Sequence, residues 1–493
     1  MQSNAWHKRM VFSLGWSLTD LRSPWSAAAL CALLAVLAAL LALAPVSLAG
    51  LLLAGIALAL LVLARPALGL AALALAVPFG SLREIVIGPA NVGVAELLGL
   101  WTLAAWAAHM AAERRLRVAG SRLWLALALL LGAMLLSVTQ ALSLGHSIKE
   151  LAKWLEFAGV AVCAATLAAP AERRLILSAT LLAGSGAGLL GWYQFLAGVG
   201  PPGFLLFGRF MRAYGAFRQP NPYAGYLGLV LPVALSLLIA YWPWRAGRPW
   251  ADRVLWLLAL AAALTTAPAI IMSWSRGAWF GAAAGLLVVL LGRSRRFAVI
   301  AVVLGAALAG VIFVGSFDRA VPAVLSTRLT DFADYFTFRD VSAIKPNPTT
   351  WAVIERMAHW QAALRMFADR PWLGVGIGNY EAVYAAYRLP RWLDPLGHAH
   401  NYYLNIAAEA GILGLLAYVL FWLGACALAV RVARRLAGPW RGATLGILAA
   451  LIHLSVHNLF DNLYVQGIYL QVALWIGLLV ALSHPLHPRN GLA

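Results

Sequence analysis

The chain has 493 residues, 63% of them hydrophobic and only 11% charged, with a mean hydropathy of +0.82. Soluble domains carry about 25% charged residues, so this composition excludes a soluble globule and indicates an all-α integral membrane protein. The net charge of +19 does not indicate a nucleic-acid partner, because the basic residues stand in short clusters between apolar runs and not in one patch.

The first apolar run follows Lys8, Arg9 and Arg22 and flows directly into a second, which reads as a retained span and not a cleaved leader. At roughly 17–25 apolar residues per helix, candidate spans fall near 25–45, 47–64, 67–81, 94–112, 123–143, 149–168 and 175–197. Seven more fall near 223–241, 254–273, 277–292, 297–315, 401–430, 442–460 and 464–483. Cys31, Cys163 and Cys426 all lie inside these runs, which offers neither a disulfide framework nor a zinc knuckle.

With the N-terminus in the cytoplasm, every second connection carries a basic cluster. These are Arg65; Arg114, Arg115 and Arg117; Arg173 and Arg174; Arg245, Arg248 and Arg253; Arg293, Arg295 and Arg296; and Arg431, Arg434 and Arg435. That is the positive-inside pattern repeated along the chain. The expected architecture has about 12–14 transmembrane helices and one large extracytoplasmic loop containing amphipathic helices. An N-terminal bundle would occupy 1–315, the helical loop 316–397, and the C-terminal helices 398–493.

The segment 316–400 holds nine Lys/Arg against eight Asp/Glu and is the one long hydrophilic stretch. Within it Val353, Met357, Trp360, Leu364 and Phe367 recur at helical spacing and predict one apolar stripe. Thr349 or Thr350 can cap this helix, and Pro371 stops it. No internal repeat of the kind common in transporters is visible.

Arginines on the outward side depart from the positive-inside pattern. Arg209, Arg212 and Arg218 lie in the connection 198–222, and Arg276 lies in the turn SWSRGAWFG. Between Glu172 and Asp318 the only carboxylate is Asp252, in a cytoplasmic connection. Outward guanidinium groups without acidic partners call for an anion or backbone oxygens, and their planar fork suits phosphate. Snorkelling to lipid headgroups is the alternative. The densest polar cluster opens HAHNYYLNIAAEAGILG (398–414), a helix pattern whose first turn carries His398, His400 and Asn401.

Four stretches in order, GAFRQPNPYAGYLGLVLP (215–232), SWSRGAWFG (273–281), ERMAHWQAALRMFADRPWLGVGIGNY (355–380) and HAHNYYLNIAAEAGILG (398–414), resemble the O-antigen ligase and O-antigen polymerase superfamily, which includes protein O-oligosaccharyltransferases. The resemblance implies a glycosyltransferase-C-like fold in the bacterial cytoplasmic membrane, with its active site facing the periplasm. It implies transfer of a glycan from an undecaprenyl diphosphate donor, without a cofactor, to a glycan, lipid A-core or protein acceptor. By the same resemblance Arg276, Arg356 and His400 are the catalytic positions. Arg212, Arg218, Asn221, His398 and Asn401 are expected to bind substrate, with Glu409 and Asp461 in support. The fourteen candidate spans exceed the twelve usual for the ligases.

The chemistry needs little from the protein. Fixed arginines stabilise the charge developing on a diphosphate leaving group, and a histidine near neutral pH accepts the proton of an acceptor hydroxyl. His400 could instead cap or pack, and His398, two residues away, would face elsewhere on a helix. Zinc is the rival ligand, but His398 and His400 have no carboxylate that the sequence obviously brings to them. His453, His457 and Asp461, at spacings of four, are the better metal pattern; the alternative is that this face packs against Asn401, Asn405 and Glu409 and orients His400. GVGIG (374–378) lacks the strand–turn–helix context of a phosphate loop and reads as a turn. A secondary transporter is the reading from another class; it would place polar residues near mid-membrane on broken helices.

Overall fold

Long runs of Leu, Ala and Val must satisfy their backbone groups internally within a bilayer, and helices do so. The computed structural model describes residues 45–116, 118–167, 169–206, 208–313, 340–345 and 350–484. In chain order its helices are α1 (Val46–Ala64), α2 (Pro66–Ala76, continued as a 3-10 turn to Leu82), α3 (Val94–Glu113), α4 (Leu123–Ser137), α5 (Leu144–Ala165) and α6 (Pro170–Ala197). They continue as α7 (Pro220–Ala240), α8 (Trp250–Met272), α9 (Arg276–Arg293), α10 (Arg295–Phe313), α11 (Trp351–Asp369), α12 (Tyr380–Tyr387), α13 (Tyr402–Arg435), α14 (Gly438–His457) and α15 (Ile468–Ser483). Two small antiparallel hairpins complete the described chain: β1 (Glu84–Ile87) with β2 (Ala90–Gly93), and β3 (Leu205–Leu206) with β4 (Phe210–Met211).

Seven described helices are long and apolar enough to cross a membrane, and α1, α2 and α15 add shorter apolar ones. The protein is thus an all-α, multi-pass membrane protein. Thirteen of the expected spans correspond to α1–α10 and α13–α15 with shifted ends; the first, 25–45, lies outside the described residues.

Two helices form the centre. α7 packs against α14, α8 and α9, and α15 packs against α5 and α13. Both are buried almost all round, which suits helices with apolar residues on every side. Two of their polar groups donate across helices: Trp475 Nε1 to the Leu229 carbonyl (3.2 Å), and Gln471 Nε2 to Thr180 Oγ1 (3.3 Å). At the basic end Asp252 is shared by Arg174 (3.0 Å) and Arg248 (3.6 Å).

The segment between α10 and α13 packs on the other end through α11 and α12. The first half of the apolar stripe is buried as expected (Val353, Met357, Trp360), but Leu364 is 42% exposed and Phe367 only half-buried. The buried face turns instead through Ala362, Ala363 and Met366, because these meet Tyr380, Tyr384, Ala399 and Ala408. Thr350 is the N-cap residue of α11, and Thr349 lies outside the described residues.

The expected span 401–430 is not one helix. At Gly411 (φ 65°, ψ −164°) α13 breaks, in a region of backbone space open essentially only to glycine. The turn after α11 takes up the freed groups: Val375 N donates to the Ala408 carbonyl (2.9 Å), Gly376 N to that of Glu409 (3.0 Å), and Ile412 N to that of Pro371 (2.8 Å). GVGIG is therefore a turn, with Gly374, Gly376 and Gly378 all at positive φ. Beyond the break, 412–435 rises about 36 Å, enough for a hydrocarbon core of about 30 Å.

A Cβ at position 411 would sit 2.3 Å from the Trp372 carbonyl. Gly411→Ala is therefore expected to cost about 3 kcal/mol or more and to abolish the monodisperse peak in fluorescence size-exclusion. Gly132→Ala, which meets nothing within 4 Å, should leave that peak intact; equal behaviour of the two variants would rule out the break.

Candidate functional site

Two connections and the ends of several helices meet at the end of the bundle away from the basic clusters. The connection before α7 brings Arg212, the start of α7 brings Asn221, and the α8–α9 turn and the start of α9 bring Trp274, Ser275 and Arg276. Helix α11 brings Arg356, and the end of α14 brings His457. Together these line one cavity of about 230 Å³. Arg276 and Arg356, far apart in sequence, share it. Arg212 is held rigidly there, with Nε donating to the Ser273 carbonyl (2.8 Å) and Nη2 to Asn221 Oδ1 (3.0 Å).

Asn221 links the cavity to a buried carboxylate, its Nδ2 donating to Asp461 Oδ2 at 2.7 Å. The other oxygen, Oδ1, accepts from Asn462 N (2.9 Å) and lies 3.4 Å from His400 Nδ1 and 3.9 Å from His398 Nε2. Burial alone would raise the Asp461 carboxyl. The adjacent His400 ring and the charges of His400, His398 and Arg356 outweigh it and hold the group well below the usual carboxylate range. Asp461 is thus the common neighbour of the cavity and the histidines.

His398 and His400 are not in a helical turn. They precede α13, whose N-cap is Asn401, and His400 sits in the left-handed region (φ 52°). That geometry overturns the expectation that the two rings face apart: they lie edge to face at 4.3 Å, both beside Asp461. His400 N donates to His398 Nδ1 (3.0 Å). This leaves the His398 proton on Nε2, facing Asp461. Burial lowers His398 to about 3, assisted by the His400 charge and opposed by Asp461.

His398, His400 and Asp461 do converge within metal-ligand distance of one another, which the sequence did not reveal. Their hydrogen bonds fit a carboxylate–imidazole cluster better than a metal centre. A metal on His398 Nε2 would need the lone pair that its present tautomer lacks, and both Asp461 oxygens already accept N–H groups.

Several expected site residues are placed elsewhere. Arg218 is 56% exposed and paired with Glu84 of β1, so it is not without an acidic partner and does not line the cavity. Asn401 accepts from Leu404 N (3.1 Å) and is a helix cap. Arg209 lies over the Phe210 ring (5.3 Å). Glu409 Oε1 accepts from Tyr380 N (3.0 Å) and Asn405 Oδ1 from Ala399 N (3.0 Å), so these residues brace the loop and do not meet the α14 face. The two segments touch instead through backbone, Tyr402 N donating to the Asn458 carbonyl (2.8 Å). The face of His453, His457 and Asp461 is also broken, because α14 ends at His457. Of the two histidines only His457 reaches the cavity, its Nε2 being 3.4 Å from Ser275 Oγ.

His359 was not anticipated. It lies on α11, 1% exposed, its Nδ1 2.9 Å from the Tyr380 hydroxyl and its ring stacked on Tyr384 at 4.8 Å. Its ring stands 5.9 Å from that of His400. Burial, then the His400 charge, lowers it to about 3. Its only sequence signal is position: it follows Ala358 on the buried face of α11.

The unfolded His359 titrates near 6.5, so between about pH 6.5 and 3 the unfolded chain binds the extra proton and stability falls with falling pH. From pH 7 to 5 this histidine alone should remove about 2 kcal/mol. In detergent, His359→Gln should flatten the fall in Tm over that range; an unchanged slope would contradict the assignment.

No curated protein matches the chain. Residues 261–419 match the family model described as O-antigen ligase. The matched stretch, which is similar to that family, begins within α8, carries Arg276, Arg356, His398 and His400, and ends beyond the break in α13.

Proposed function

We propose that the chain, within the glycan transfer its family implies, moves a glycan from a polyprenyl (undecaprenyl) diphosphate to an acceptor hydroxyl at the outer face of the bacterial cytoplasmic membrane. The observation that carries this reading is the single cavity holding Arg212, Arg276 and Arg356 beside the Asp461–His400 pair. The diphosphate enters the cavity, where three guanidinium groups meet charge that grows as it leaves. His457 adds an imidazole to the same wall.

Asp461 holds the proton of His400 on Nδ1 and leaves Nε2 to take the acceptor proton. The acceptor oxygen forms the new bond to the anomeric carbon as the bond from that carbon to the diphosphate oxygen breaks. The leaving group keeps its electron pair, the hydroxyl proton goes to His400, and attack from the opposite side inverts the anomeric centre. No step calls for a divalent ion. Lipid A-core, a growing glycan and a protein hydroxyl are the three acceptors to be distinguished.

Purified protein, lipid-linked oligosaccharide and each acceptor in turn provide the test. Arg276→Ala and Arg356→Ala should weaken donor binding and slow transfer, with only partial rescue by Lys, which lacks the two-pronged contact. His400→Ala should keep donor binding and lose about 10²–10⁴-fold in turnover, and Asp461→Asn should follow it. Arg218→Ala should retain both. Near-normal turnover by His400→Ala would move the base elsewhere.

EDTA should leave transfer largely intact. Loss of activity restored by one divalent ion would transfer His398, His400 and Asp461 to a metal-assisted mechanism.

A further inference from the structure

A second cavity, of about 330 Å³, lies at the opposite end of the bundle, where α6, α13, α14 and α15 meet. Arg173, Arg435, Leu436, Trp440, Ser483 and His484 are among its lining residues. Nothing in the proposed transfer uses it.

Arg173 is the anomaly. It is 3% exposed, and the one side-chain hydrogen bond it makes among the described residues runs from Nε to the Leu167 carbonyl (3.1 Å). It sits in the first turn of α6, the end of a helix dipole that disfavours a cation. Among the described residues neither Arg173 nor Arg435 has a carboxylate within 4.0 Å. The adjacent Glu172 is turned to the start of its own helix, accepting from Ala169 N at 3.1 Å. Arg174 is turned away, to Asp252 and over the Trp440 ring at 5.4 Å.

A buried guanidinium facing an open cavity, with a second arginine at the rim, leaves an unmet demand for negative charge. The N-terminus of α14, at Gly438–Trp440, adds a further positive end. The remaining wall is apolar, through Val432, Leu436 and Leu482. Arginine forks, an apolar wall and a position at the end of the spans together match a phosphate at the headgroup level. We propose that this cavity binds a phosphate group, presented by an anionic phospholipid headgroup or by a free anion. The site is independent of the glycan-transfer reading.

The full chain, stripped of lipid in detergent, is titrated with phosphatidylglycerol, phosphatidylcholine or inorganic phosphate and followed by native mass spectrometry and thermal shift. One phosphatidylglycerol retained about tenfold more tightly than phosphatidylcholine would establish a lipid headgroup as the source. Stabilisation by inorganic phosphate without retained lipid would establish a free anion. In either case Arg435→Gln and Arg173→Gln should each weaken binding about tenfold, and Arg431→Gln, exposed on α13 outside the cavity, should not. If Arg173→Gln does not fold, Arg435→Gln decides. Binding by neither probe, or binding equal in Arg435→Gln and Arg431→Gln, overturns the proposal.

Discussion

The Asp461 carboxylate is the constraint on which the candidate site depends. A buried carboxylate is tolerated only when its oxygens are met by donors and positive charge, and here the donors come from separate parts of the chain. Asn221 donates from the start of α7 and Asn462 from the adjacent backbone, and the His398 and His400 rings stand beside the carboxylate from the connection before α13. Through Asn221 the same carboxylate fixes Arg212. Removing the charge would therefore release both the cavity wall and the histidines, so the two halves of the site act as one unit.

A second constraint delivers His398 and His400 to that carboxylate. The break at Gly411 lets the first turns of α13 tilt away from the spanning part, and the turn 371–376 replaces the lost helical hydrogen bonds. Glu409, buried within those first turns, ties the start of α12 to them. Helix α11, with Arg356 and His359, is thereby clamped over the same end. Left-handed backbone at the non-glycine residues Trp274 and His400 places local strain at the cavity rim and at the histidine pair. Surrounding packing that over-determines such positions is what holds charged groups in fixed places before any ligand arrives.

Much of this was legible in the sequence, and the reason differs by residue. Span positions follow from hydropathy, which bilayer thickness enforces, and the basic turns follow from charge. Arg276 and Arg356 could be singled out because they sit in motifs, and both line the one cavity. Pairing across distant segments was not legible: nothing local announces that Glu84 meets Arg218, or that Asp461 meets His398 and His400. The helical reading of residues 398–401 failed because Asn401 is a cap and His400 turns left-handed, features set by the Asp461 contact and the packed loop. His359 stayed hidden because a histidine on an amphipathic face looks the same whether it packs or acts.

Charge bookkeeping connects the site to the proposed donor. With His398 lowered to about 3 and Asp461 held ionised, the cavity's three arginines less one carboxylate leave two positive charges beside the histidines. A glycosyl diphosphate diester carries two negative charges, so in the proposed complex it would offset those two positive charges. In the proposed transfer a monoester diphosphate would leave with one further negative charge as His400 gained the acceptor's proton. The new cation rests against Asp461, whose second oxygen is linked through Asn221 to Arg212. In that reading, charge created at the leaving group would be answered by groups tied to the same carboxylate, which would favour the transition state over the ground state.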